Sequence, residues 1–132
     1  MPDWFFRLLD IFMLVFHTGF IIFILVGWAI PRLRGLHLVC ALLTAGSWYV
    51  LGLFYGLGYC PFTDWHWQVL ARLGHHGLPF SYVQYLLKRV AGISVSPEFA
   101  DTITVVGLFI AMALSLVLSF KRFAGWLKRL RQ

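Results

Sequence analysis

Three long apolar stretches constrain this chain more than any other feature. They run from about 11 to 30, from about 38 to 59 and from about 103 to 120. A membrane-spanning helix needs about 20 mostly apolar residues, and a helix satisfies its own backbone hydrogen bonds, as the lipid core requires. Charged residues make up only 12% of the chain, about half their usual share in soluble domains. The sequence therefore predicts an all-α integral membrane protein with three transmembrane helices.

The sequence predicts a single membrane domain over 1–132, with an outer loop at 60–102 and a basic tail at 121–132. Arg32 and Arg34 lie in the short link after the first span, and five more basic residues lie in the tail. Because Lys and Arg are enriched on the cytoplasmic side of membranes, we expect the C-terminus in the cytoplasm and the N-terminus outside. All the acidic residues then lie on the outer side.

The outer loop contains two segments with helical signals. Thr63 or Asp64 is placed to cap a helix that runs to about Leu73, and Ser81 followed by Gln84 matches a capping box. Beyond this box, apolar residues recur with helical spacing: Val83, Leu86, Leu87 and Val90. Helices this short are unstable alone, so we expect them to pack as an amphipathic lid over the outer ends of the spans.

The basic tail combines an apolar helical face with a cluster of positive charge. The apolar face consists of Phe123, Trp126, Leu127 and Leu130. The basic residues are Lys121, Arg122, Lys128, Arg129 and Arg131. This pattern predicts an inner interfacial helix in contact with anionic lipid headgroups. Because the basic residues lie directly against a spanning segment, we expect lipid contact and no nucleic-acid binding.

Small residues recur every four positions in the third span and form one stripe: Gly107, Ala111, Ser115 and Ser119. The second span carries Gly52 and Gly56 in a G-x-x-x-G pattern. Small residues let helix backbones approach closely in lipid, where apolar burial gives no attraction between helices. The stripes predict either packing of the second span on the third or an interface with a second copy or another membrane protein.

Six residues that can carry chemistry fall near the predicted outer end of the bundle: Asp10, His17, Cys60, Asp64, His66 and Asp101. Acids and histidines with shifted pKa values in a cleft are typical of a catalytic or binding site. Cys60 and His66 are also candidate metal ligands, although their spacing matches no standard site. The structural alternative is a tight turn, in which Pro61 ends the span and Thr63 or Asp64 caps the next helix.

His17 lies inside the first span, where an ionisable side chain is costly and usually faces the bundle interior. It is a candidate haem ligand, proton relay or structural hydrogen-bonding group. No second histidine lies opposite at the same depth, which disfavours a haem held by two histidines. Cys40 and Cys60 are 20 residues apart on one predicted helix, hence about 30 Å apart, which is too far for a disulfide.

Several of these residues also form a pattern along the chain: His17, His37, Trp48 and the run from Gly58 to Trp67 with its Cys-Pro-Phe-Thr element. The pattern resembles a bacterial family of small multi-pass membrane proteins that is classified as a domain of unknown function. The resemblance runs from about Asp10 to Lys121, and its most specific part is the Cys-Pro-x-Thr element. It implies a protein of the bacterial inner membrane, and it implies no activity, cofactor or catalytic residue.

Three functions are compatible with these observations. The stripes and the lid favour a non-enzymatic accessory or interaction subunit in the bilayer, without a cofactor. A haem- or metal-binding redox protein would use His17 together with the region of Cys60 and His66. A small membrane enzyme or carrier for a lipid or small molecule would use the acids and histidines of the outer end, provided that they converge.

Overall fold

The structure is a computed structural model, which describes residues 2–56 and 58–132. Its helices are α1 (Asp3–Val26), α2 (Arg34–Gly46), α3 (Gly52–Tyr55), α4 (Pro61–Arg72), α5 (Tyr82–Ala91) and α6 (Pro97–Leu130). No strand occurs among the residues that the structure describes. The predicted all-α class is confirmed.

Three helical segments within the described ranges are long and apolar enough to cross a membrane: Asp3–Ala29, Pro31–Tyr55 and Pro97–Leu130. The first consists of α1 and a short 3₁₀ turn, and the third is α6. The second consists of a 3₁₀ turn, α2, a π-helical turn and α3. Each segment overlaps one predicted apolar stretch, so the prediction of three candidate spans is confirmed.

The second span ends before its predicted boundary at 59. The helix ends at Tyr55, and Gly56 adopts φ 109° and ψ 141°, a backbone conformation that is open essentially to glycine alone. Leu57, which falls inside the predicted span, lies outside the described residues. Gly56 therefore reverses the chain and does not continue the helical small-residue stripe that the sequence predicts.

After this reversal the chain returns alongside the second span. The Gly58 amide donates to the Trp48 carbonyl at 3.2 Å, and the Ser47 hydroxyl donates to the Tyr59 carbonyl at 2.8 Å. Ser47 and Trp48 both lie in the π-helical turn, and turns of this kind are frequent at functional sites. These two bonds place Cys60 beside the span instead of above its end.

The three candidate spans share one apolar core. Ile24 of α1, Ala41 of α2 and Leu108 of α6 are buried together. Ala111 and Ser115 lie one and two turns further along α6, and both are buried. Two of the four residues of the third-span stripe are therefore buried within this chain.

The remaining small residues are less uniform. Gly107 and Ser119 are only partly buried, whereas Gly52 is buried. A side-chain carbon added at Gly107 would lie 3.0 Å from Leu25, so this glycine permits a close approach between α6 and α1.

A buried histidine holds the link between the first two spans. His37 is fully buried, and its Nε2 lies 2.7 Å from the Ile24 carbonyl. Nε2 donates this bond, because a carbonyl oxygen can only accept. Ile24 lies in the last turn of α1, where carbonyl groups lack regular helical partners. His37, for which the sequence indicates no role, therefore ties the end of α1 to α2.

The cap of α5 follows the predicted signal, and α6 begins with a serine cap of the same kind. The Ser81 hydroxyl accepts from the Gln84 amide at 3.3 Å, and α5 ends at Gly92, which has φ 70°. The Ser96 hydroxyl accepts from the Phe99 amide at 3.2 Å at the start of α6. Each serine satisfies an amide that has no helical acceptor.

α4 begins at Pro61, before the predicted caps Thr63 and Asp64. The prediction of its first residue is wrong because proline suits the first turn of a helix, where its missing N–H costs nothing. Thr63 and Asp64 therefore lie within the first turn of α4.

α4 packs antiparallel to α1. The ring centroid of Phe62, near the start of α4, lies 5.3 Å from that of Phe16 and 6.4 Å from that of Phe20. One turn later, His66 reaches Asp10, which is nearer the start of α1. α4 thus lies beside α1, and a lid over the ends of the spans stays a prediction.

The basic tail continues α6 without a break. α6 has 34 residues, which corresponds to a length of about 51 Å, well beyond the roughly 30 Å of a hydrocarbon core. The predicted separate tail helix is therefore part of α6, and its contact with the membrane interface stays a prediction.

We expect Gly56→Ala to lower the free energy of unfolding by about 1–3 kcal/mol, because alanine is strained in this backbone conformation. The space is adequate, since an added side-chain carbon would lie 3.6 Å from Phe80. Thermal unfolding in detergent micelles measures the effect. Gly46→Ala is the matched control, because Gly46 is helical with open space around it and alanine favours a helix. Equal destabilisation by both substitutions would contradict this role of Gly56.

Candidate functional site

The carboxylate of Asp10 is the centre of a buried polar cluster. Arg89 of α5 donates to both of its oxygens, from Nη1 to Oδ1 at 2.7 Å and from Nη2 to Oδ2 at 2.9 Å. His66 of α4 also lies 2.7 Å from Oδ1 through its Nε2. One buried carboxylate of α1 therefore joins two helices that lie far from it in sequence. We call Asp10, His66, Tyr82 and Arg89 the Asp10 cluster.

The hydrogen bonds of His66 determine its tautomer. A carboxylate can only accept, so Nε2 carries the proton and donates to Asp10. Nδ1 then accepts from the Tyr82 hydroxyl at 2.8 Å. Tyr82, His66 and Asp10 form a continuous chain of donors and acceptors, and the His66 ring is fully buried. Because both ring nitrogens are engaged, His66 can ligate a metal only if one of these hydrogen bonds breaks.

Burial and hydrogen bonding control the protonation of the side chains that α4 and α5 contribute to the Asp10 cluster. It lowers the pKa of the His66 imidazole, and the opposing effect of the Asp10 carboxylate does not outweigh it. Burial also raises the pKa of the Tyr82 hydroxyl, and the hydrogen bond to Asp10 raises the pKa of Arg89. Near neutral pH, His66 is therefore neutral, Tyr82 is protonated and Arg89 supplies the positive charge.

Tyr82, Tyr85 and Arg89 form the face of α5 that meets this cluster. Arg89 Nη1 also donates to the Tyr85 hydroxyl at 2.6 Å, and Tyr82 is buried. The sequence analysis missed these residues because it assigned the packing face of α5 to its apolar residues. One of those residues, Val90, is in fact 68% exposed. Their spacing of i, i+3 and i+7, which places them on one helical face, is the signal that could have revealed them.

His17 lies two turns beyond Asp10 on α1 and packs against the same tyrosine. The rings of His17 and Tyr82 stack with centroids 3.9 Å apart. His17 is only 5% exposed, and its Nδ1 has no hydrogen-bond partner among the described residues. Its Nε2 faces the Cys60 sulfur at 3.9 Å. Unlike His66, this buried histidine has unused hydrogen-bonding capacity, which is uncommon in folded proteins.

Cys60 immediately precedes α4 and occupies its N-cap position. The prediction that Cys60 extends the helix of Cys40 is wrong, because that helix ends at Tyr55 and the chain then reverses. Cys40 instead packs against the apolar core. Both cysteines are free and partly buried.

An open cleft of about 270 Å³ lies beside Cys60. Its walls include Tyr55, Tyr59, Thr63, Asp64, Trp67 and Phe80. The Asp64 carboxylate accepts from the Tyr59 hydroxyl at 3.3 Å and from the Gln68 side-chain amide at 3.2 Å. α4 therefore presents His66 to the Asp10 cluster and Asp64 to this cleft.

The structure brings four of the six predicted site residues together: Asp10, His17, Cys60 and His66. Asp64 shares the cleft with Cys60 but makes its own hydrogen bonds. Asp101 is exposed on α6, and no described residue forms a hydrogen bond or ion pair with its side chain. The described part of the chain contains no group of three or more His, Cys, Asp or Glu residues arranged to hold a metal ion.

Comparison with known proteins identifies one family. The family described as Protein of Unknown function (DUF2784) matches residues 7–120, and this match confirms the predicted resemblance to a family of unknown function. No curated protein and no solved structure matches the chain.

We expect the stability that His66 provides to decrease as the pH is lowered. Folding lowers the pKa of His66, so the unfolded chain binds more protons once the pH drops below about 6.5. The contribution of neutral His66 is therefore complete above that pH and is lost below it, with a slope of at most about 1.4 kcal/mol per pH unit. Thermal unfolding of the wild type and of His66→Gln should show a difference that shrinks on acidification. A constant difference would contradict the neutral, buried state of His66.

We expect Arg89→Met to lower the free energy of unfolding by about 1–3 kcal/mol, because it leaves the buried Asp10 carboxylate without its charged partner. Solvent screening keeps the value below that of a fully buried pair, since the Arg89 side chain is 31% exposed. Lys88→Met is the matched control, because Lys88 is exposed on the same helix. Adding Asp10→Asn should recover part of the loss. Equal losses of unfolding free energy for Arg89→Met and Lys88→Met would contradict the pairing of Arg89 with Asp10, and so would a double variant no more stable than Arg89→Met.

Proposed function

We propose that this chain, which belongs to the Protein of Unknown function (DUF2784) family, is a membrane enzyme or carrier that binds a small molecule in the cleft beside Cys60. The observation that carries this proposal is the Asp10 cluster, which fixes α4 between a closed polar interior and an open cleft. With the orientation that the basic residues favour, the cleft opens on the outer side of a bacterial inner membrane.

The Asp10 cluster is a costly way to hold a helix in place. Its members come from α1, α4 and α5, in a chain with only 5 acidic residues. Apolar packing often gives equal or greater stability than a buried ion pair, and ionisable groups at membrane depth are functional candidates by default. A cluster of this kind is therefore best explained by a site that depends on the position of α4.

The cleft has the composition of a small-molecule site. Tyr55 and Tyr59 stack with ring centroids 4.6 Å apart, Trp67 adds a third aromatic wall, and Asp64 supplies a carboxylate. Small-molecule sites are mostly apolar and aromatic with a few well-placed polar groups, and they begin at about 300 Å³. These walls favour a small ligand with an apolar part and a cationic or hydrogen-bond-donating group.

The two other predicted functions have less support. Half of the stripe that motivates an accessory subunit is already buried within the chain, because Ala111 and Ser115 are buried. A metal at His66 competes with the bonds to Tyr82 and Asp10. Binding of a membrane partner, self-association and contact of the basic tail with anionic lipids stay predictions.

Profiling of small molecules and lipids in the native host tests the proposal. We expect deletion of the gene to change the amount of one class of compound, and the wild-type chain to restore it. Asp64→Asn and Tyr55→Ala should fail to restore it, because each removes a wall of the cleft that would contact the ligand.

Phe54→Ala is the matched control for Tyr55→Ala. Phe54 is adjacent and 78% exposed but does not line the cleft, so this variant should restore the profile completely. Membrane levels of all variants are compared by immunoblot. Full restoration by the cleft variants would overturn the proposal. A deletion that only removes a protein complex from the membrane would favour the accessory subunit instead.

A further inference from the structure

Cys60 and His17 form a pair whose chemistry the proposed function leaves open. We infer that Cys60 is a reactive thiol that forms mixed disulfides with small-molecule disulfides, with His17 as its base. This role deepens the proposed function, because both use the same cleft, but the thiol chemistry is measurable without knowledge of any natural ligand.

The first observation is the unsatisfied state of His17. It is buried, its Nδ1 has no partner among the described residues, and its Nε2 is directed at the Cys60 sulfur at 3.9 Å. Contacts between a nucleophile and its base are often longer in the absence of substrate than during reaction. With the ring proton on Nδ1, Nε2 is free to accept the thiol proton.

The second observation is the position of Cys60 at the start of α4. Cys60 is the N-cap residue of this 12-residue helix, and its side chain makes no capping hydrogen bond. The amide groups at a helix N-terminus stabilise negative charge, and reactive cysteines are often found at such positions beside a histidine. Cys40 offers a contrast within the same chain, since it packs against the apolar core.

The third observation is access. Cys60 lines the open cleft, together with the Asp64 carboxylate. A small disulfide that carries amino groups would therefore meet both the sulfur and a negative charge. His17 is buried and is not among the residues that line the cleft, so a reagent in the cleft would reach the sulfur without displacing His17.

The reaction balances without a further oxidant. His17 Nε2 takes the thiol proton, and the Cys60 sulfur attacks one sulfur of the disulfide. A new S–S bond forms to Cys60 while the original S–S bond breaks. The released half leaves as a thiolate and takes the proton from His17. Cys60 is oxidised to the mixed disulfide, and the released half is reduced to a thiol.

The test uses cystamine, a small cationic disulfide, and the wild-type chain purified in mild detergent. Mass spectrometry follows the adduct on each cysteine at neutral pH. We expect Cys60 to react about tenfold faster than Cys40, as for thiols activated by a histidine and a helix N-terminus. This ratio needs no variant, and a ratio of one or less overturns the inference.

His17→Gln should slow the reaction of Cys60 by about fivefold or more and leave Cys40 unchanged. Cys40 acts as an internal control, because a loosened fold would raise its rate. Thr18→Ala is the matched variant, since the Thr18 hydroxyl is also buried without a partner, and it should leave both rates unchanged. An unchanged Cys60 rate in folded His17→Gln protein removes His17 as the base.

The two proposals fail independently. If Cys60 reacts slowly with cystamine but Asp64→Asn fails to restore the compound profile, the cleft is a small-molecule site without thiol chemistry. If Cys60 reacts rapidly with cystamine but every cleft variant restores the compound profile, Cys60 is a reactive thiol and the proposed enzyme or carrier role is wrong.

Discussion

The hydrogen bonds of the Asp10 carboxylate to His66 and Arg89 determine where α4 and α5 lie. His66 attaches α4 to α1, and Arg89 attaches α5 to the same carboxylate. Short helices of 12 and 10 residues have little stability alone, so these attachments and the aromatic packing around them give each helix its place. Because His66 stays neutral, Arg89 is the charged partner of Asp10 among the described residues. A buried network of this kind is stable only when every member is paired.

The position of α4 decides the character of both of its surfaces. One surface is closed, and there the hydrogen-bonding groups of His66 are all used. The other borders an open cleft that Cys60 lines. The Cys60 sulfur is also 3.9 Å from Nε2 of the buried His17, whose Nδ1 has no partner among the described residues. Two histidines that both contact Tyr82 thus differ in their hydrogen bonding, and this difference limits what each could do. A saturated ring can only hold a structure together, whereas a ring with a free acceptor can still take a proton.

Much of the helical architecture follows from local signals in the sequence. The three apolar stretches, the serine caps of α5 and α6 and the glycine that ends α5 all act over a few residues, and the structure contains each of them. The reversal at Gly56 was missed because a glycine in an apolar helix pattern is also typical of close packing. Tyr82 and Arg89 were missed because their partners, His17, His66 and Asp10, lie up to 79 residues away.

Composition and periodicity were thus sufficient for the class of the protein, since lipid leaves a long apolar segment little choice but a helix. They were also sufficient to mark Asp10, His17, Cys60 and His66 as unusual, because polar groups are rare and costly in such a setting. Which of these groups meet was decided only in three dimensions. Hydrogen bonds depend on distances of a few ångströms, and those distances were set by the chain reversal and by the antiparallel packing of α4 on α1.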